Sequence, residues 1–203
     1  MDRLSAVIEQ PSHRFSLAPT MLVLALAALA ACEETAPAGD PPSRVNGAKT
    51  TKRQGATVEA FCDVYTPPES AKPMQWPAMT EPAPKASTGW RWVNIWATWC
   101  KPCVDEMPRI AKWKTKLGVD VTFVSVDESA DDIATHKQAH PDMPATLRLA
   151  DSKAQDAWLH QLGVSDPRLP IHVFVDAQQR VRCIRSGSVN DGDLAIVEKL
   201  LAR

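Results

Sequence analysis

An α/β domain built on one mixed sheet with helices on both faces is predicted by three observations. β-rich runs at residues 90–97 and 119–126 are separated by a helix-forming stretch, which is the order a parallel crossover needs. Two further β-rich runs, 171–175 and 180–184, meet at a four-residue turn, as an antiparallel hairpin does. Third, a chain of 203 residues with 44% hydrophobic content can bury one real core. The formal net charge of −1 leaves no polycation to suggest a nucleic-acid partner.

The chain divides into three stretches: residues 1–31, 32–56 and 57–203. Met21 to Ala31 is uncharged and apolar but shorter than the roughly 20 residues that a spanning helix needs, so it reads as a signal-peptide core. Its end, Leu29-Ala30-Ala31-Cys32, resembles a bacterial lipobox, which implies that Cys32 is lipidated and becomes the mature N-terminus. An ordinary secretory signal or a short uncleaved anchor is the alternative, and each of the three exports the domain. From Glu33 to about Gly55 the chain is rich in Pro, Ala, Gly, Ser, Thr and charge, too poor in apolar residues to repay its ordering entropy, and reads as a flexible tether.

Within 57–203, the segment to Thr88 carries Pro67, Pro68, Pro73, Pro77, Pro82 and Pro84, which break any long element and leave short strands or loops. Arg91 to Ala97 is a strand ending at Thr98-Trp99. Lys101-Pro102 opens a helix, with Val104, Met107, Ile110, Ala111 and Lys114 at helical spacing, Pro108 predicting a kink and Gly118 a stop. Val119 to Val126 is a buried strand, and Ala130 to Ala139 a polar helix. Thr146 to Leu149 reads as a short strand and Ala154 to Leu162 as a helix ended by Gly163. The hairpin follows, and a last helix runs from about Asp191 to Leu201.

Trp99-Cys100-Lys101-Pro102-Cys103 lies at the junction of a strand and a helix, the context that gives a C-x-x-C redox chemistry. Cys100 falls where unpaired N–H groups and the positive end of the helix dipole favour thiolate, the nucleophilic form. Cys103 is close enough to attack the resulting mixed disulfide and release the substrate. A structural disulfide would not need this turn, tryptophan and proline. Zinc is the other alternative, but His136 and His140, four apart on a predicted helix, are much too far from Cys103 for finger spacing and read as solvent-facing.

The run Trp92-Val93-Asn94-Ile95-Trp96-Ala97-Thr98-Trp99-Cys100-Lys101-Pro102-Cys103-Val104-Asp105-Glu106-Met107-Pro108 closely resembles the active-site segment of the TlpA/ResA-like branch of the thioredoxin superfamily. Leu169-Pro170-Ile171-His172-Val173-Phe174-Val175-Asp176 is similar to the loop and strand that hold a cis-proline facing the cysteines in that branch. The resemblance covers about Trp90 to Arg203. It implies a thioredoxin-like fold with the strand and helix this branch inserts between the two motifs. It makes Cys100 the attacking cysteine, Cys103 the resolving one and Pro170 the cis-proline beside Leu169, with Trp96 and Trp99 as aromatics around the site.

Thioredoxin itself uses a buried aspartate at the position held here by Asn94, which cannot titrate. Glu106, three residues after Cys103, matches the acidic residue beneath the disulfide in ResA-like proteins; its alternative is a first-turn carboxylate favoured by the helix dipole. Trp90, Trp92, Trp113 and Trp158 read as packing residues. Cys62 and Cys183 remain, either as a bridge that ties the proline-rich segment to a later strand or as two buried thiols.

The function implied is a disulfide reductase with no cofactor and no metal, acting on exported disulfide-containing clients such as apocytochrome c or copper-delivery proteins. It would be recharged by a membrane electron donor of the DsbD/CcdA type. Its domain would face the periplasm as a monomer, anchored to the bilayer through Cys32. A thiol oxidase of the same fold is the rival enzyme, and a copper-delivery module the rival binder. The latter would need a third ligand near the site; His172 is the only histidine near the groove in sequence, and its place on an alternating strand reads as packing.

Overall fold

The computed structural model describes residues 57–203. The expected signal segment 1–31, the expected lipidation of Cys32 and the expected tether 32–56 lie outside the described residues.

The order is α1 (Val58–Phe61), β1 (Val64–Tyr65), β2 (Arg91–Trp96), α2 (Lys101–Leu117), β3 (Asp120–Ser125), α3 (Ala130–Ala139), β4 (Thr146–Arg148), α4 (Ser152–Gln161), β5 (Ile171–Val175), β6 (Val181–Ser186), a 3-10 turn (Asp191–Asp193) and α5 (Leu194–Leu201). The six strands form one sheet in the order β1-β6-β5-β2-β3-β4. β2, β3 and β4 run parallel, whereas β5 pairs antiparallel with both β2 and β6. Every residue of β2 and of β5 is buried, so helices cover both faces of the sheet's centre, while β1 and β4 at the edges are only half buried. This is the thioredoxin-like α/β fold, with β4 and α4 inserted between the two motifs.

α2 shows how the sequence builds the site. Cys103, Glu106, Met107, Ile110 and Trp113 are its buried residues, spaced three to four apart to make one face. Pro102 lies in the first turn, where its missing N–H costs nothing, and Pro108 lies inside the helix, which runs on to Leu117. Gly118 ends it in the left-handed conformation at φ +62°, and Lys114 and Lys116 complement the last turn.

Three expectations need correction. The proline-rich segment contains a helical turn, α1, because Thr57 caps it by accepting the Ala60 N–H at 3.2 Å and Phe61 is buried beneath it. The last helix is split: Asn190 and Asp193 form a reciprocal cap around the 3-10 turn, and α5 begins only at Leu194. α4 starts two residues earlier than its apolar pattern suggests, since Asp151 accepts the Lys153 N–H at 2.8 Å. Among the described residues no helix is long and apolar enough to cross a membrane.

Candidate active site

Cys100 is the N-cap residue of α2, at the end of the loop leaving the central strand β2. That loop is clamped from below. The Thr98 N–H donates to both carboxylate oxygens of Asp127 (3.2 and 3.0 Å), the Thr98 hydroxyl donates to one at 2.7 Å and the Ser125 hydroxyl to the other at 2.7 Å. Asp127 follows β3, so adjacent parallel strands fix the backbone immediately before the cysteines. Nothing in the sequence reading singled out Asp127; its place just past the C-terminal end of a parallel strand, where α/β sites gather, was the available signal.

Cys100 and Cys103 are joined as a disulfide with Cα atoms 5.3 Å apart. Cys100 is 6% exposed and Cys103 not at all, so only the first can meet a substrate. The Cys103 and Val104 N–H groups both donate to the Cys100 carbonyl (3.0 and 3.2 Å), closing the first turn of the helix. A groove of about 570 Å³ opens beside Cys100, lined by Trp99, Lys101, Pro102 and Leu169 together with Val126, Gln155 and Pro167. Trp99, 70% exposed, is the large apolar side chain left to solvent among the described residues. Trp96 is buried instead, its indole N–H donating to Thr146 at 2.9 Å. The Leu169–Pro170 bond is cis, and the Gly187 N–H donates to the Pro170 carbonyl at 2.8 Å.

Glu106 lies one turn below Cys103 on the same face, 1% exposed. One of its oxygens accepts from Asn94 Nδ2 at 2.9 Å and the other from the Val189 N–H at 2.9 Å. Burial pushes its carboxyl up to about 8, against the smaller opposing pull of those two donors and of Arg109 and Arg185. This shift has a consequence for stability. The folded state holds the Glu106 proton more tightly than the unfolded chain, so that contribution is complete below about 4.5 and is lost as pH rises through about 8. The stability of the wild type minus that of Glu106→Gln should therefore fall across this window, with a slope of at most about 1.4 kcal/mol per pH unit. Urea unfolding of the oxidised protein at several pH values measures it; a flat difference would show that Glu106 titrates as an ordinary carboxyl.

His172 is fully buried, with both ring nitrogens facing protein partners, so it offers no third ligand to a metal held by the dithiol. Burial, then the nearby Arg185 charge, pull its pKa down to about 3. Trp92, Trp113 and Trp158 are buried, and Trp90 packs partly buried against the core. His140 is exposed, as expected, whereas His136 corrects the expectation of a solvent-facing side chain, being half-buried. The two rings lie 4.4 Å apart, His136 packs against Trp96 at 5.8 Å, and its Nε2 is buried.

Cys62 and Cys183 form a second disulfide, Cα atoms 5.4 Å apart and 121 residues apart in sequence. It joins the residue after α1 to β6, well outside the groove, and both sulfurs are buried.

A family model described as Redoxin matches residues 88–201, more than half of the chain and all of the groove. Among solved structures, the chain is similar to a DsbF homologue from Corynebacterium diphtheriae: 17% identity, 67% of this chain and 91% of that one covered, TM-score 0.51. It is similar also to a secreted thiol-disulfide isomerase from Corynebacterium glutamicum: 17% identity, 69% and 92% covered, TM-score 0.51. A thioredoxin-related protein from Neisseria meningitidis serogroup B is 29% identical over 57% of this chain and 87% of that one, at a TM-score of 0.45. No curated protein matches the chain. With a C-x-x-C disulfide at a helix N-terminus, a cis-proline loop and the matched family model together, the chain belongs to the Redoxin family as a thiol-disulfide oxidoreductase of the thioredoxin-like fold.

Proposed function

We propose that the protein is an exported disulfide reductase, tethered to a membrane through lipidated Cys32, that reduces disulfides of periplasmic clients and is recharged by a membrane electron donor. The Cys100 thiolate displaces one sulfur of the client disulfide, and that sulfur leaves as a thiolate and takes up a proton. Cys103 then gives its proton to the Glu106 carboxylate and attacks Cys100 Sγ, releasing the second client sulfur. Two electrons pass from the pair to the client, and Cys100 and Cys103 end as the disulfide seen here.

The proton step depends on the burial of Glu106. An ordinary glutamate near 4.3 would accept a proton from a thiol near 8.5 only at a cost of about 6 kcal/mol. A carboxyl raised to about 8 does so for under roughly 1 kcal/mol.

The observation that carries the reducing direction is the charge around Cys100. Strongly oxidising pairs stabilise the thiolate, which makes the reduced form favourable. Among the residues lining the groove, Lys101 is the one carrying a charge, and its Nζ sits 2.7 and 2.9 Å from the two carboxylate oxygens of Asp105. That pair is exposed and weakly held, yet it offsets the cation that would otherwise support the thiolate.

The test is equilibration of the purified chain in dithiothreitol or glutathione buffers, with thiol trapping of the Cys100 to Cys103 pair. A midpoint near about −270 mV is expected for a reductant. One near about −120 mV would make it an oxidase of the same fold.

A further inference from the structure

The steps above use Glu106 but leave unexplained a fully buried imidazole beside it. His172 lies on β5, two residues past the cis-proline. Trp92 Nε1–H donates to its Nδ1 at 3.1 Å, which leaves the ring proton on Nε2. Nε2 faces the Gly187 carbonyl at 3.2 Å and Glu106 Oε1 at 3.5 Å. Asn94 Nδ2 stands between the same two groups, 2.9 Å from Glu106 Oε1 and 3.3 Å from His172 Nδ1. The segment from Gly187 to Val189 closes the arrangement, since its first N–H holds Pro170 and its last holds Glu106 Oε2.

We propose that His172 is a positioning residue for proton transfer: its Nε2–H anchors the Gly187–Val189 segment and turns a partial positive charge toward Glu106, fixing where that carboxyl sits and how tightly it holds a proton. The inference rests on the reading that Glu106 serves Cys103. Two rigid elements give the imidazole one orientation, because Trp92 fixes its tautomer from β2 and Gly187 receives its proton from the loop after β6. Through that loop the groove and the carboxyl share one support.

The titratable and charged groups facing Glu106 are Cys103 and Arg109 on α2, Arg185 on β6 and His172 on β5, while β2 presents the uncharged Asn94. Arg109 is paired with Asp191 beyond β6, and Arg185 stacks over Phe61. Both cations favour the carboxylate and remain when His172 is changed, so a shift on replacing His172 belongs to the imidazole.

The test is the pH titration of the Glu106 side-chain carboxyl carbon by NMR in the oxidised full-length chain. His172→Leu, which loses the donor, should raise the midpoint by about one pH unit. His172→Gln, which keeps an N–H on a side chain of similar reach, should stay within about 0.3 unit of wild type. A leucine variant that leaves the midpoint in place, or a glutamine variant that moves as far as leucine, overturns the proposal, the second by reducing the role to packing. Nitrogen NMR of His172 in the wild type decides even if the leucine variant does not fold: the Nε2–H tautomer should persist from about pH 5 to 9, and an Nδ1–H ring in that range also overturns it. The rate of mixed-disulfide resolution in Glu106→Gln tests the parent reading separately. An unchanged rate there would end the role of Glu106 toward Cys103, while the carboxyl titration would still report whether His172 sets its proton affinity.

Discussion

Cys100→Ser is expected to reduce client disulfide turnover at least about a thousandfold, because serine does not form the thiolate on which the first displacement depends. Cys103→Ala should behave differently. It keeps the attack by Cys100 and loses only resolution, so a client joined to Cys100 should accumulate and be released by added dithiothreitol. The asymmetry follows from placement: Cys100 caps the helix at the edge of the groove, whereas Cys103 is wholly buried behind it. Incubation of each single-cysteine variant with a scrambled or oxidised protein substrate, followed by non-reducing gel and mass spectrometry, reads both results. Trapping on Cys103 in the Cys100→Ser variant, with none on Cys100 in the other, would reverse the assigned roles.

Removing both Cys62 and Cys183 as alanines should cost about 5 kcal/mol in the chain-entropy account, since the bridge closes a loop of 121 residues. For a domain of this size that is a fall in Tm of roughly 10 to 20 °C, measurable by calorimetry under oxidising conditions. The active-site potential should not move, because the bridge lies on β6 and after α1, away from the groove. The effect arises in the unfolded chain, because in the folded state residues 57–88 are also held by backbone bonds from Asp63, Thr66, Met74 and Thr80 to later strands and loops. Beyond α1 and the two residues of β1, that stretch is tied to the body by bonds such as Trp158 Nε1 to the Gln75 carbonyl (2.8 Å), Arg91 to the Lys85 carbonyl (2.7 Å) and Gln179 to the Ser87 carbonyl (2.9 Å). A loss below about 1 kcal/mol would mean that these bonds and α1 suffice.

What the sequence made legible was local and periodic. The helix after Cys100 announces itself by its opening proline, its three-to-four spacing and its closing glycine, and the hairpin by its four-residue turn. What stayed hidden was carried by partners distant along the chain or by groups that every residue has. The Val189 N–H that holds Glu106 is a backbone donor 83 residues away, with no sequence signature. Asp127 looks like any acidic residue after a strand until Thr98, 29 positions earlier, is seen to bond it. α1 is four residues long, too short for periodicity to register. His136 sits in a polar helix whose pattern says solvent, yet its ring packs against Trp96, 40 positions earlier.

The groove wall has a consequence for how such a protein diversifies. On one side stand Trp99, Lys101 and Pro102, bound to the reacting sulfurs by a single loop and helix; on the other stand Gln155, from α4, and Pro167, from the connection that follows it. The reacting side cannot vary without altering thiolate stability, whereas the inserted side contributes no hydrogen bond to Cys100, Cys103 or Glu106 among those observed. On the proposed reading, electron affinity and client choice would lie in separable parts of the chain, and exchanging residues 152–168 between relatives should transplant preference for a client while leaving the potential of the recipient in place.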